Sequence, residues 1–352
     1  MQIGRRLIGQ GHPPMLVAEM SGNHGGSLER ALAIVHAAAE HGADAIKLQT
    51  FTPGTLTVRS DRPEFRINDL ASPWHGRRLW DLYDEAHTPW EWHDSIFTEA
   101  RTRGLACIST AFDESSVRFL QGLKVDAIKI ASFEVVHLPL IEVAAAAGLP
   151  LIMSTGMASV EEITDAVAAA RARGCDRLVL LKCTSAYPAS EGAANLLTMS
   201  DMRARFGCDV GFSDHTLRPF AALAATALGA VIVEKHLTLS RADGGVDSGF
   251  SIEPNELGEL ARGMDLVCRS LGTVSYGAGP SEAASRLERP SIYVVRPIRS
   301  GEVFTADHVR VIRPAGGLPP SALRDVLGRK ARRDINDLTP LAWDLVDSAH
   351  EA

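Results

Sequence analysis

The chain has 352 residues, 45% of them hydrophobic and 22% charged, with a net charge of −7 from 36 basic and 43 acidic side chains. This composition excludes a disordered or low-complexity chain and argues against nucleic-acid binding, which ordinarily needs a basic surplus. No apolar run reaches the ~20 residues of a membrane helix, and Met1-Gln2-Ile3-Gly4-Arg5-Arg6 leads into no signal-peptide segment. The five cysteines, Cys107, Cys175, Cys183, Cys208 and Cys268, are odd in number and include no CxxC, which fits reduced thiols in the cytoplasm. Charge divides the chain: residues 286–352 carry a net +2 and residues 1–285 a net −9, as two separately built parts would.

Short β-branched runs alternate with Ala-rich amphipathic stretches over the first 270 residues, the pattern of repeated βα units. Strands are predicted over 15–19, 45–49, 106–109, 127–130, 151–154, 178–183, 210–213 and 230–236. Helices are predicted over 27–41, 90–103, 114–123, 160–173, 220–228 and 255–271. Gly42, Gly104, Gly148, Gly174 and Gly229 stand where helix C-caps belong. Eight strands with following helices match an α/β (β/α)8 TIM barrel. An open doubly wound sheet competes, but Glu19-Met20-Ser21-Gly22-Asn23 is no Gly-rich phosphate turn, and the barrel is favoured. Residues 1–275 are therefore expected to form the barrel and 276–290 a linker. Residues 291–352 would form a small β-rich domain that needs a surface to pack on.

Barrel active sites collect at the C-terminal ends of the strands. Each predicted strand places a polar side chain there: Glu19; Lys47 and Gln49; Ser109 and Thr110; Lys129, Ser132 and Glu134; Ser154 and Thr155; Lys182, Thr184, Ser185 and Tyr187; Ser213, Asp214 and His215; Glu234, Lys235 and His236. His215 and His236 follow neighbouring strands, and alternation puts Glu234 on the side of His236. Two imidazoles and a carboxylate suit a divalent cation; backbone bonding or helix capping by each histidine is the plainer alternative. Lys47, Lys129, Ser132, Ser154 and Ser213 mix point charge with directed donors, as a phosphate or carboxylate site requires. Alternatively, both lysines pair with strand-end acids. Glu19 and Glu134 are candidate acid–base groups or carboxylates that satisfy loop amides. Asp247 lies in a Gly-rich loop that is either a lid or a long connection. Trp80, Trp90 and Trp92 read as packing around the second helix.

Together, Val17-Ala18-Glu19 with Asn23-His24, Ala45-Ile46-Lys47-Leu48-Gln49, Lys129-Ile130-Ala131-Ser132, Met153-Ser154-Thr155-Gly156-Met157, Cys183-Thr184 with Tyr187-Pro188, Ser213-Asp214-His215 and Glu234-Lys235-His236 resemble the sialic acid synthase family. Val311-Ile312-Arg313-Pro314 and Gly317-Leu318-Pro319-Pro320 resemble the antifreeze-like (SAF, β-clip) domain of those enzymes. Within the family, residues 86–93, 181–188 and 239–245 look most like the pseudaminic acid branch. The N-acetylneuraminate branch usually has His and Asn where this chain has Lys182 and Ser185.

The resemblance implies a condensation of phosphoenolpyruvate with an amino sugar and water, releasing phosphate by C–O cleavage. His215 and His236 would bind a divalent metal, Mn2+, Mg2+ or Co2+. Lys47, Thr110, Lys129, Ser132, Ser154 and Ser213 would hold phosphoenolpyruvate. Glu19 would act on a water or hydroxyl, and Glu134, Tyr187 and Asp247 would position the sugar. Arg313 would arrive from the tail of a second chain in a domain-swapped homodimer. Three other functions stay open: an N-acetylneuraminate or legionaminate synthase with the same chemistry, a Schiff-base aldolase using Lys129 or Lys182, and a non-catalytic sugar-binding protein.

Overall fold

The computed structural model describes residues 1–70 and 72–348, and its chain divides into two compact units, Met1–Gly272 and Thr273–Ala352. The first is a closed barrel of eight parallel strands in chain order. They are β1 Met15–Glu19, β2 Ala45–Thr50, β3 Ala106–Ala111, β4 Ala127–Ile130, β5 Leu151–Ser154, β6 Leu178–Cys183, β7 Asp209–Asp214 and β8 Ile232–His236. The barrel closes where β8 pairs with β1, His236 lying opposite Glu19.

Each strand is followed by a principal helix: α1 Leu28–Glu40, α2 His93–Thr102, α3 Glu114–Gly122, α4 Leu138–Ala146, α5 Val160–Ala172, α6 Thr198–Phe206, α7 Phe220–Ala227 and α8 Pro254–Leu271, with a further short helix at Leu79–Ala86 before α2. Ser27 and Ser159 cap α1 and α5 by accepting from the amides of Arg30 and Glu162. The five glycines predicted as helix stops all have positive φ, between +72° and +86°. Helices α4 and α6 fill positions that the sequence pattern leaves open. The α4 sequence, LPLIEVAAA, is so uniformly apolar that it carries no 3.6-residue signature.

Strand alternation sorts the core into two layers. Residues 16, 18, 46, 48, 107, 128, 130, 151, 153, 178, 180, 210, 212 and 233 face outward and pack under the helices. Met15, Val17, Ala45, Ile108, Ala127, Ile152, Val179, Leu181 and Ile232 point inward, with Ile3 and Ile8 at the N-terminal end sealing the barrel floor. Gly211 also faces inward, where a Cβ would lie 2.4 Å from the Ile232 carbonyl oxygen, so that only glycine fits. The interior is thus apolar over its lower half, and the same inward positions turn polar at the C-terminal end.

The second unit contains an antiparallel sheet of β9 Ser291–Val294, β10 Val309–Ile312 and β11 Thr339–Pro340, with β9 in the middle. Ile292, Val294, Phe304, Val309, Val326 and Leu341 form its core. The first of these strands and the one at 309–312 lie where the sequence places β-rich segments. The third, two residues long, carries no periodic signal. The expected tail domain runs four residues further than the described ones. Among the described residues no helix is long and apolar enough to cross a membrane.

Candidate active site

The polar ends of the inward-facing columns meet at one mouth. Glu19, Lys47, Thr110, Lys129, Ser213 and Glu234 form one buried network. Lys47 Nζ lies 2.5 Å from Glu19 Oε2 and 3.7 Å from Glu234 Oε1, and donates to Thr110 Oγ1 at 3.1 Å. Lys129 Nζ donates to both Glu234 oxygens, at 3.3 and 3.1 Å, and Ser213 Oγ donates to Glu234 Oε1 at 3.0 Å. Each lysine therefore pairs with a strand-end acid, as the plainer reading of the sequence expects. Glu234 shares the inward face of His236, as alternation requires, but Lys129, Lys47 and Ser213 occupy its oxygens.

Burial works against every charge in this network, and its balance against the partners differs from group to group. For Glu234, burial pushes the carboxyl up, but Lys129 and Lys47 override it and hold it at about 2. For Glu19, burial outweighs Lys47 and the pKa is raised. For Lys129, burial outweighs Glu234 and lowers the ammonium below its ordinary value.

A second chain of bonds joins Asp247 to this network. Gln49 donates to Glu19 Oε1 and to Ser21 Oγ, both at 3.0 Å, and Ser21 donates a short hydrogen bond to Asp247. Asp247 thus sits in the site through Ser21, and burial raises its carboxyl. Ser154 Oγ is buried with no protein partner, and Ser132 Oγ accepts from the Gly156 amide at 3.1 Å. Close packing explains Gly156: a Cβ there would lie 2.2 Å from Ser185 Oγ and 2.9 Å from Ser132 Oγ. Glu134 follows β4 with Oε2 buried and unpartnered, and burial, opposed by its own backbone amide and Lys129, raises its carboxyl to about 7.

His215 and His236 stand side by side, with ring centroids 5.3 Å apart. The Nδ1–H of His215 donates to the Thr184 carbonyl at 2.9 Å, so that Nε2 carries the lone pair whenever the ring is neutral; against burial, Cys183 and that carbonyl raise the pKa of this ring. His236 Nδ1 is buried without a partner, and burial, then His215, keeps this ring neutral by lowering its pKa well below the usual value. Two adjacent imidazoles with free lone pairs fit a divalent cation whose other positions are open to substrate or water. Among the described residues no third His, Cys, Asp or Glu completes a ligand shell. Tyr187 packs on His215 at 4.5 Å and on Phe250 at 5.1 Å, and Phe250 packs on His236 at 5.0 Å.

Several strand-end residues turn away from the mouth because they fall on outward positions. Ser109 bonds Thr50, which also bonds His93, beneath α2. Lys182 donates to the Cys183 carbonyl and to Thr184, outside the barrel. Lys235 pairs with Asp214 at 2.8 Å. Asn23 and His24 are structural: Asn23 donates to the Leu237 carbonyl and Ser251, and His24 meets Thr88. Trp90 and Trp92 pack on Phe119 and His24, as expected for core aromatics. Trp74, from the same stretch, is different. It belongs to the Tyr187–Phe250 cluster, and nothing in its local sequence signals that long-range contact. Arg313 is exposed after β10 in the second unit.

This geometry can be set against known proteins. The NeuB family model matches residues 34–276 and the SAF domain model residues 289–347. The chain belongs to the NeuB family. It is 37% identical over 320 residues to the pseudaminic acid synthase of Campylobacter jejuni subsp. jejuni, covering 91% of this chain and 93% of that one. It is 32% identical to the N,N'-diacetyllegionaminic acid synthase of Legionella pneumophila, covering 95% of this chain and 94% of the relative. The crystal structure of the N-acetylneuraminic acid (sialic acid) synthetase from Leptospira borgpetersenii superposes with a TM-score of 0.72 at 29% identity, over 81% of this chain and 94% of that chain. The expected kinship with sialic acid synthases, the barrel and the SAF domain are thereby shown, and the chain is an enzyme of the transferase type.

Replacing Lys129 with Met strands Glu234 in the barrel with most of its compensation removed. The expected cost is about 3–5 kcal/mol of folding stability, read by urea denaturation. The double variant Lys129→Met with Glu234→Gln should recover a large part of that loss. Additive losses in the two single variants would show that the ion pair carries no coupling energy.

Proposed function

We propose that this enzyme is a pseudaminic acid synthase. It would condense phosphoenolpyruvate with 2,4-diacetamido-2,4,6-trideoxy-L-altrose and water, giving pseudaminic acid and phosphate. The observation that carries this reading is the convergence of two buried lysines, four hydroxyls and two neighbouring imidazoles at one barrel mouth, in a chain 37% identical to a pseudaminic acid synthase. The free thiols and the lack of a membrane-crossing helix among the described residues are compatible with a cytoplasmic location.

Lys47 and Lys129 bind the phosphate and carboxylate of phosphoenolpyruvate as point charges, and Thr110, Ser132, Ser154 and Ser213 supply directed hydrogen bonds. Ser154 Oγ has no protein partner and is free for this task. A divalent cation held by His215 and His236 would act as a Lewis acid toward the sugar's open-chain carbonyl. C3 of the enol ester forms the new bond to that carbonyl carbon, and Glu134, protonated below pH 7, gives the oxygen its proton. C2 is left electron-poor and takes up water. As the phosphate draws Lys47 away from Glu19, Glu19 loses its counter-charge and accepts the water's proton. The tetrahedral carbon then expels phosphate with its bridging oxygen, as the added hydroxyl becomes the new C2 carbonyl and its proton passes to the departing phosphate. No Schiff base is required, because the enol is already present in the substrate. Lys182, one of the two lysines an aldolase would need, points out of the barrel.

A second copy of the chain is the proposed partner that delivers Arg313. The barrel unit carries exposed Phe133, Val136, Met157, Leu197, Leu217 and Phe220 on its βα-loops and at the start of α7. An apolar collar of this kind calls for a cover.

Two measurements test the reading. Phosphate release from phosphoenolpyruvate should be fastest with the diacetamido-trideoxy-altrose among a panel that includes the legionaminic acid precursor and N-acetylmannosamine. Exhaustive chelation should abolish it, as should His215→Ala or His236→Ala. Preference for either other sugar would move the chain to that branch, and full turnover after chelation would remove the metal. Separately, kcat/KM should fall on the alkaline side of pH 7, where Glu134 loses its proton. In Glu134→Gln that limb should disappear along with at least about 100-fold in rate; an unchanged profile would take the proton donor's role from Glu134.

A further inference from the structure

The reading above leaves open what selects the sugar. A cavity of about 410 Å³ is walled in part by Pro73, Trp74, Tyr187, Val246 and Phe250, and Tyr187 and Phe250 connect it to the two histidines. This volume lies within the range of small-molecule sites. We propose that Trp74 is the specificity-determining residue for the acceptor, its indole face forming the wall against the distal, methyl- and acetamido-bearing end of the sugar. The assignment rests on the acceptor being the 6-deoxy diacetamido hexose.

Three observations carry it. The first is position. Trp74 lies 5.6 Å from Tyr187 and 6.0 Å from Phe250, and those two rings lie 4.5 Å from His215 and 5.0 Å from His236 respectively. A sugar whose carbonyl end is at the histidines extends its far carbons along Tyr187 and Phe250 toward Trp74.

The second is the chemistry of the wall. The indole Nε1–H of Trp74 already donates to the Val246 carbonyl at 2.8 Å. Trp74 therefore offers a ligand its ring face and no hydrogen bond. A methyl or acetamido methyl placed there gains apolar burial. A hydroxyl placed there loses its water and finds no partner. The charged residues on the cavity wall, Arg77 and Glu85, pair with each other at 2.5 Å, so the lining suits a neutral ligand.

The third is modularity. Trp74 is carried by the long excursion between β2 and α2, and its bond to Val246 ties that excursion to the loop after β8. Neither segment supplies a lysine to the phosphoenolpyruvate network. The wall can change while the anion site stays as it is.

The test is steady-state kinetics on the full-length wild type, Trp74→Ala and Trp74→Phe, with phosphoenolpyruvate, the diacetamido-trideoxy-altrose and N-acetylmannosamine, which has hydroxyls at C4 and C6. Trp74→Ala should raise the KM for the diacetamido sugar about tenfold or more. The KM for phosphoenolpyruvate should stay within about twofold, and the preference for the diacetamido sugar over N-acetylmannosamine should shrink. Trp74→Phe keeps a ring but loses the tie to Val246, and should retain most of the preference. An unchanged acceptor KM in Trp74→Ala, or acceptor and phosphoenolpyruvate KM values that rise together, overturns the assignment while the proposed function stands. A wild type that prefers N-acetylmannosamine overturns both.

Discussion

Two ammonium groups sit inside a protein barrel, and the rest of the site follows from how their charge is met. Lys47 and Lys129 are almost wholly buried, a placement that costs several kcal/mol per ion unless each is paired and hydrogen-bonded. Glu19 and Glu234 supply the pairing, and Thr110 and Ser213 add hydrogen bonds at the edge of the network. Removing a partner from such a cluster is expensive, but exchanging one anion for another is not. On the proposed reading, a phosphate that enters between the lysines takes the place of carboxylate oxygens, with the desolvation already met in the folded chain. The pairing that looked like a competitor to anion binding is, on the proposed reading, how the anion site is kept intact between turnovers.

The two-residue period of the strand sets which side chains join that cluster. Met15, Val17 and Glu19 share one inward column, as do Ala45, Lys47 and Gln49, and Ile232, Glu234 and His236. This much is legible in the sequence, because the apolar-to-polar change occurs at the same end of every strand. Where phase was ignored, expectation and structure part. Ser109, Lys182 and Lys235 lie at strand ends but on outward positions, and they serve helix packing and loop closure. Glu234 was visible as an inward carboxylate, but its engagement by Lys129 depends on the barrel bringing β4 across to β8. No local pattern reports a contact 105 residues apart in the chain.

The acceptor side is less legible still. Tyr187 and Phe250 reach the histidines from the loops after β6 and β8, and Trp74 comes from the β2–α2 excursion. Their sequence neighbours show neither strand nor helix periodicity, and only the closed barrel defines which loops adjoin. The contrast has a physical sense. A site for a charged, fixed substrate is built on strands, where register holds positions tightly. The wall proposed for the sugar is built on loops, where substitution leaves the barrel unaffected.

The most direct measurement of the central claim is a crystal structure of the protein with phosphoenolpyruvate bound. The expected result has phosphate or carboxylate oxygens within hydrogen-bond distance of both Lys47 Nζ and Lys129 Nζ and of Ser154 Oγ, with Lys47 drawn away from Glu19. Phosphoenolpyruvate found elsewhere, with Lys47–Glu19 and Lys129–Glu234 still closed, would contradict it and reduce the buried lysines to structural charges.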